Sequence, residues 1–130
     1  LVLDCTDNFA TRQLINQACF IHKTPLVSGS ALKFDGQLNV FDFRSEASPC
    51  YACLFSPEEQ FEEVSCASMG IFSPLVGIIG AMQAAQALQV LIGFGQTLVG
   101  RMLLWNAMNT QIDEIRIARN PACKVCGSQH

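Results

Sequence analysis

Residues 1–29, LVLDCTDNFATRQLINQACFIHKTPLVSG, pass from an apolar run through a polar turn and an amphipathic segment to a second apolar run. Residues 1–4 read as a strand that ends in the turn Cys5-Thr6-Asp7. Residues 8–22 read as a helix with Leu14, Ala18 and Ile21 on one face. Asp7 is placed to cap it, because a short carboxylate accepts the unpaired amide hydrogens of a first helical turn. Pro25-Leu26-Val27-Ser28-Gly29 reads as a second, buried strand. Strand, helix and strand in so short a span predict a right-handed βαβ unit with parallel strands.

Downstream the pattern changes to alternation. Leu32, Phe34, Leu38, Val40, Phe41 and Phe43 flank Asp35-Gly36, the sequence of a type I′ hairpin turn, so antiparallel strands are expected to extend the sheet. Residues 45–64 hold a first cysteine pair and an acidic stretch, Pro57-Glu58-Glu59-Gln60 and Glu62-Glu63, of surface-loop composition. Ser73-Pro74 is expected to open a long helix as N-cap and first-turn proline, and Gly93 to end it. Along it, Gly77, Gly80, Ala81, Ala84 and Ala87 would let neighbouring backbones approach closely. Strands are expected at 101–107 and 111–118. No repeat or linker divides the chain, so residues 1–130 read as a single α/β domain. Its start inside a strand, without an initiator Met, reads as the C-terminal portion of something longer.

Composition narrows the partners. With 130 residues, half of them apolar, the chain can bury one real core. A formal charge of −3 with only 8 Lys and Arg leaves no basic footprint, which argues against nucleic acid. The apolar run 74–92 approaches bilayer length. Gln83, Gln86 and Gln89 would then be left in hydrocarbon, so a buried helix of a soluble protein is expected and no membrane. Seven cysteines, an odd number with no charged-then-apolar leader, argue against a secreted disulfide framework. A cytoplasmic setting follows as the expectation.

Four of those cysteines form two knuckles, Pro49-Cys50-Tyr51-Ala52-Cys53 and Cys123-Lys124-Val125-Cys126-Gly127. Two residues between thiols let both sulfurs face one ion, and two such pairs complete a tetrahedral set. Cys50, Cys53, Cys123 and Cys126 are therefore expected to bind one structural zinc, tying the hairpin region to the C-terminal tail. Two other readings stand beside it: a dithiol redox pair, although neither pair reads as opening a helix after a strand, and simple buried thiols. Cys5 and Cys19 read as small core residues.

Asp4-Cys5-Thr6-Asp7-Asn8 lies where a parallel strand ends and a helix begins, the side of an open α/β sheet on which ligands bind. A carboxylate there can hold Mg²⁺ against nucleotide phosphates. Equally, Asp7 can serve only as a helix cap, with Asn8 and Arg12 as surface residues.

The stretch Asp4-Cys5-Thr6-Asp7-Asn8-Phe9-Ala10-Thr11-Arg12 resembles the signature turn of the ThiF/MoeB/HesA adenylyltransferases, relatives of ubiquitin-activating enzymes. The resemblance continues in register through Pro25-Leu26-Val27-Ser28-Gly29-Ser30-Ala31, Gly36-Gln37-Leu38, both cysteine knuckles and Pro74-Leu75-Val76-Gly77. It implies the C-terminal part of a Rossmann-like ATP-binding domain. It also implies ATP-dependent adenylylation of the C-terminal glycine of a ubiquitin-like sulfur carrier, in thiamine or molybdopterin biosynthesis, and a homodimer. By position, Asp7 corresponds to the Mg²⁺- and ATP-associated catalytic carboxylate, Asn8 to its nucleotide-contacting neighbour and the four cysteines to zinc ligands.

Cys66 corresponds to a cysteine that, in ThiF-type relatives, bonds the activated carrier, which leans the pathway toward thiamine. Its plainer reading is a small residue under the long helix, with Glu62 and Glu63 disfavouring a thiolate. The nine glycines form no Gly-x-Gly-x-x-Gly. The chain alone is therefore expected to bind ATP weakly, not to adenylate, and to expose an apolar sheet edge. The competing expectation is a non-catalytic, zinc-stabilised interaction module that holds a partner through the acidic loop.

Overall fold

The computed structural model describes residues 1–58 and 70–127. In chain order it contains β1 (Val2–Asp4), α1 (Phe9–Ile21), β2 (Leu26–Leu32), β3 (Asp35–Phe41), α2 (Tyr51–Leu54), α3 (Ser73–Ile92), β4 (Arg101–Asn106) and β5 (Gln111–Arg116). The five strands form one sheet in the order β1-β2-β3-β4-β5. β1 and β2 pair in parallel, Leu3 opposite Val27, and the other neighbours are antiparallel. An α/β fold with a mixed sheet is what the βαβ and hairpin patterns predict. Among the described residues β1 has β2 on one side only, and Leu1 and Leu3 are exposed.

Strand alternation divides the core between the two faces of the sheet. Leu26 and Phe41, opposite one another across β2 and β3, belong to a cluster with Cys19, Tyr51 and the knuckle cysteines. Val27 and Val40, one residue along, belong to the other cluster, with Ala87, Val90 and Leu98. α3 covers this second face through Leu75, Ile79, Gln83, Ala87 and Val90, a stripe at helical spacing.

Several local expectations are corrected. The hairpin turns at Lys33-Phe34, since Leu32 pairs with Asp35, and Lys33 takes the positive φ of 55°. Gly36 lies within β3, where a Cβ would stand 2.7 Å from Ile79 Cδ1. The glycine serves the close approach of α3, not the turn. In α1, Leu14, Ala18 and Ile21 face outward, and the buried stripe is Arg12, Asn16 and Cys19. Packing follows polar partners here, because Arg12 and Asn16 meet backbone groups that an apolar face would leave unsatisfied.

Asn8, not Asp7, caps this helix, its Oδ1 accepting the Thr11 N–H at 2.8 Å. α3 begins at Ser73, with Phe72 as its cap residue, and ends at Gly93 in the left-handed conformation, φ 84°. It is buried on one stripe only, with Val76, Leu88, Leu91 and Ile92 exposed. Among the described residues, nothing comes within 4 Å of a Cβ at Gly77 or Gly80, so these glycines serve no close packing there. α3 is long and apolar enough to cross a membrane. Its inward stripe lies on β2 and β3, and Gln83 donates from there to the carbonyls of Asp4 at 2.9 Å and Val27 at 3.3 Å.

Candidate functional site

At the C-terminal ends of the parallel pair lies a cleft of about 640 Å³, lined by the β1–α1 turn, the end of β2, Lys33, Tyr51 and the first half of α3. Its position follows from the βαβ unit, where two strands diverge into connections and leave a crevice. Cys5, Asp7 and Asn8 all line it. Asp7 is exposed, and its carboxylate has no hydrogen-bond or ion-pair partner among the described residues. Freed from capping by Asn8, it is available to a ligand.

The turn that forms this wall is held by residues that the sequence alone leaves as surface or gives no role. Arg12 is 7% exposed and Asp4 2% exposed, and their charged atoms lie 3.6 Å apart. Arg12 also donates to Ser28 Oγ at 3.1 Å, to the Gly29 carbonyl at 2.9 Å and to the Thr6 carbonyl. Asp4 Oδ1 accepts from the Thr6 N–H at 2.9 Å and the Thr6 hydroxyl at 2.7 Å. These contacts clamp the turn to the end of β2 and so aim Asp7 and Asn8. From the opposite face, Gln83 closes the floor: a Cβ at Gly29 would collide with its amide. An arginine beside a strand-terminal aspartate in the turn was the available sequence signal; Gln83, 79 residues from its Asp4 partner, had none.

The four knuckle cysteines converge as expected. Their sulfurs lie within 4.8 Å of one another, with Cys50 and Cys123 at 3.7 Å, Cys53 and Cys126 at 3.3 Å, and Cys50 and Cys53 at 3.9 Å. A tetrahedral ion with metal–sulfur bonds of ~2.3 Å sets its sulfurs ~3.8 Å apart, so the donor set fits one metal ion. The first pair does open a helix, contrary to expectation, since Cys50 immediately precedes the single turn α2. Close approach across the two pairs nonetheless favours a shared ion over a redox dithiol. The backbone N–H groups of Cys50 and Asn120 both point at Cys53 Sγ at 3.4 Å, and that of Val125 at Cys123 Sγ at 3.5 Å.

The thiols' acidities are pulled apart. The Cys53 thiol is drawn down to about 4, first by its hydrogen bond with Cys50, with the N–H groups of Asn120 and Cys50 assisting against burial. The Cys50 thiol is raised, by the same bond and by burial. Cys126 is pushed up to about 11, chiefly by burial. One thiolate is accommodated readily, but several buried together need a cation. Arg119, passed over in the sequence, joins the two halves: its Nε and Nη2 donate to the Cys126 carbonyl and Nη1 to the Glu46 carbonyl at 3.0 Å. Cys66 and Glu62-Glu63 lie outside the described residues.

Fold and site together define an α/β protein with a cleft at its parallel strand ends and four cysteine sulfurs converging from the first knuckle and the tail. The ThiF family model matches residues 1–125, and the chain belongs to that family. It is 43% identical over 129 residues to the molybdopterin-synthase adenylyltransferase of Escherichia coli, covering 98% of this chain and 50% of that protein. It is 42% identical over 133 residues to the sulfur carrier protein adenylyltransferase of Thermus thermophilus, covering 99% of this chain and 49% of the relative. Against the adenylyltransferase and sulfurtransferase MOCS3 of Drosophila virilis the identity is 45% over 131 residues, 99% of this chain and 29% of that protein. The chain thus spans at most about half the length of these relatives. Among solved structures, the crystal structure of E. coli MccB matches with a TM-score of 0.78 at 14% identity, over 98% of this chain and 39% of that one. That likeness speaks for the fold.

Proposed function

We propose that residues 1–130 are the C-terminal portion of one Rossmann-like adenylyltransferase domain that activates the C-terminal glycine of a ubiquitin-like sulfur carrier with ATP. The observation that carries this reading is the unpaired Asp7 carboxylate in a cleft at the ends of the parallel strands. The names of the relatives support it. The E. coli relative is named for molybdopterin synthase and none of the three is named for thiamine, which weighs against the thiamine lean drawn from Cys66.

In this reading the reaction needs alignment and charge screening more than a proton shuttle, because a carboxylate must approach an anionic α-phosphate. Asp7, with Asn8 beside it, would hold ATP-bound Mg²⁺ and nucleotide; Mg²⁺ supplies screening of the phosphate charge. Arg12 and Asp4 keep the turn at the strand ends, and Gln83 keeps the floor closed. Cys66 would be the covalent acceptor if the carrier is bonded after adenylation. Cys50, Cys53, Cys123 and Cys126 would hold structural Zn²⁺. The chain would work in the cytoplasm as part of a homodimer, without nucleic acid or membrane, and would not turn over alone, since no Gly-rich phosphate loop is present in its sequence.

ATP–pyrophosphate exchange tests the proposal, with the chain extended upstream and supplied with molybdopterin- and thiamine-type carriers. Exchange is expected only in the extended protein, with Asp7→Ala lowering it by ~10²-fold or more. Unchanged exchange in Asp7→Ala would remove Asp7 from the chemistry. No exchange in a folded, metal-loaded extended protein that still holds a carrier would favour a non-catalytic interaction module.

A further inference from the structure

Asn16 sits in the middle of α1 with no exposed surface. Its Oδ1 accepts the Tyr51 N–H at 2.9 Å, at the first residue of α2 and next to Cys50 in the chain. Its Nδ2 is buried and has no hydrogen-bond partner among the described residues. A buried amide nitrogen with both protons unused is costly, and native folds retain such a group where something completes it. The Cys50 sulfur is the candidate partner: Asn16 already holds the N–H of Tyr51, the residue that follows Cys50, and Cys50 is fully buried in the same core cluster as Tyr51. A thiol is a weak acceptor, whereas a metal-bound thiolate is an anionic one that forms charge-assisted hydrogen bonds.

We infer that Asn16 is a positioning residue of the four-cysteine metal centre, donating from Nδ2 to the Cys50 sulfur while its Oδ1 holds the Tyr51 N–H. The inference rests on the metal reading of the knuckles. Its consequence is mechanical. The helix that carries Asn8 and Arg12 into the cleft is the one that grips the first knuckle, so metal loading and the set of the β1–α1 turn share a support.

The test uses the purified chain loaded with spin-active cadmium and labelled with nitrogen isotope in its asparagine side chains. A scalar coupling between an Asn16 side-chain proton and the metal, passed through the Cys50 sulfur, is the expected NMR result; no coupling overturns the inference. Asn16→Asp provides a second readout, since it keeps the acceptor for Tyr51 and nearly the same volume but loses the donor. In competition with a chromophoric chelator it should hold zinc ~10- to 100-fold more weakly than wild type. Zinc affinity within about twofold of wild type would overturn the inference, because a role confined to packing or to the Tyr51 contact would survive this change. A wild-type chain that takes up neither metal would overturn the metal reading itself, and this inference with it.

Discussion

Replacing Arg12 with Met leaves the stem of the side chain in place but removes its charge and every donor from the β1–α1 clamp. Asp4, 2% exposed, would keep its two bonds from Thr6 and lose the guanidinium 3.6 Å away. The Thr6 and Gly29 carbonyls and the Ser28 hydroxyl would each lose a donor. Breaking one side of a buried ion pair costs about 3–5 kcal/mol. The pair here is longer than a charge-assisted hydrogen bond, which places its own share at the low end. The three lost neutral contacts, at about 1 kcal/mol each, bring the expected total to about 6 kcal/mol.

Against a typical domain stability of about 5–15 kcal/mol that is a large fraction, measurable as a shift of the urea midpoint at unchanged slope. The decisive comparison is Asp4→Asn in the Arg12→Met background. If the cost comes from an orphaned buried carboxylate, removing that charge should recover about 1–2 kcal/mol, so the double mutant would be more stable than Arg12→Met alone. Strictly additive losses, or an Arg12→Met cost below about 1 kcal/mol, would refute the buried-pair account.

Other expectations follow from single contacts. Gly36→Ala would press a methyl group to 2.7 Å from Ile79 Cδ1 and 3.2 Å from Leu75 Cδ1, and should lower stability by about 1–3 kcal/mol in the same urea assay. Cys50→Ser should abolish stoichiometric zinc in elemental analysis and lower the thermal midpoint, whereas a full zinc complement would contradict a four-thiol centre. The Cys19 thiol is raised above its ordinary 9.0, first by burial, then by Asp4 and against the N-terminal charge. Its unfolded form ionises first, so its contribution is complete below pH 9.0 and is lost as pH rises through the higher folded value. Wild type should therefore lose urea stability more steeply than Cys19→Ala on passing into that alkaline range, and parallel pH profiles would reject burial as the cause.

The residues whose roles are local were legible without the fold. Alternation and helical spacing identified strands, helices and the mixed sheet, and Cys-x-x-Cys spacing picked out the four cysteines whose sulfurs converge, because those signals depend on near neighbours along the chain. That Asp7-Asn8 lines a crevice was legible through its place between strand and helix, but not which of the two caps the helix. That choice depends on which side chain turns back to the Thr11 N–H.

What only tertiary structure decided concerns partners far apart in sequence. The outward Leu14, Ala18 and Ile21 make α1 look oriented the wrong way by hydrophobicity, until Arg12 meets Gly29 and Asn16 meets Tyr51. Gly36 resembles a turn glycine until α3 packs on it, and Gln83 and Arg119 carry no pattern at all. Hydrophobic periodicity reports which face leaves water, whereas buried polar contacts depend on groups that only the completed fold brings within hydrogen-bond distance.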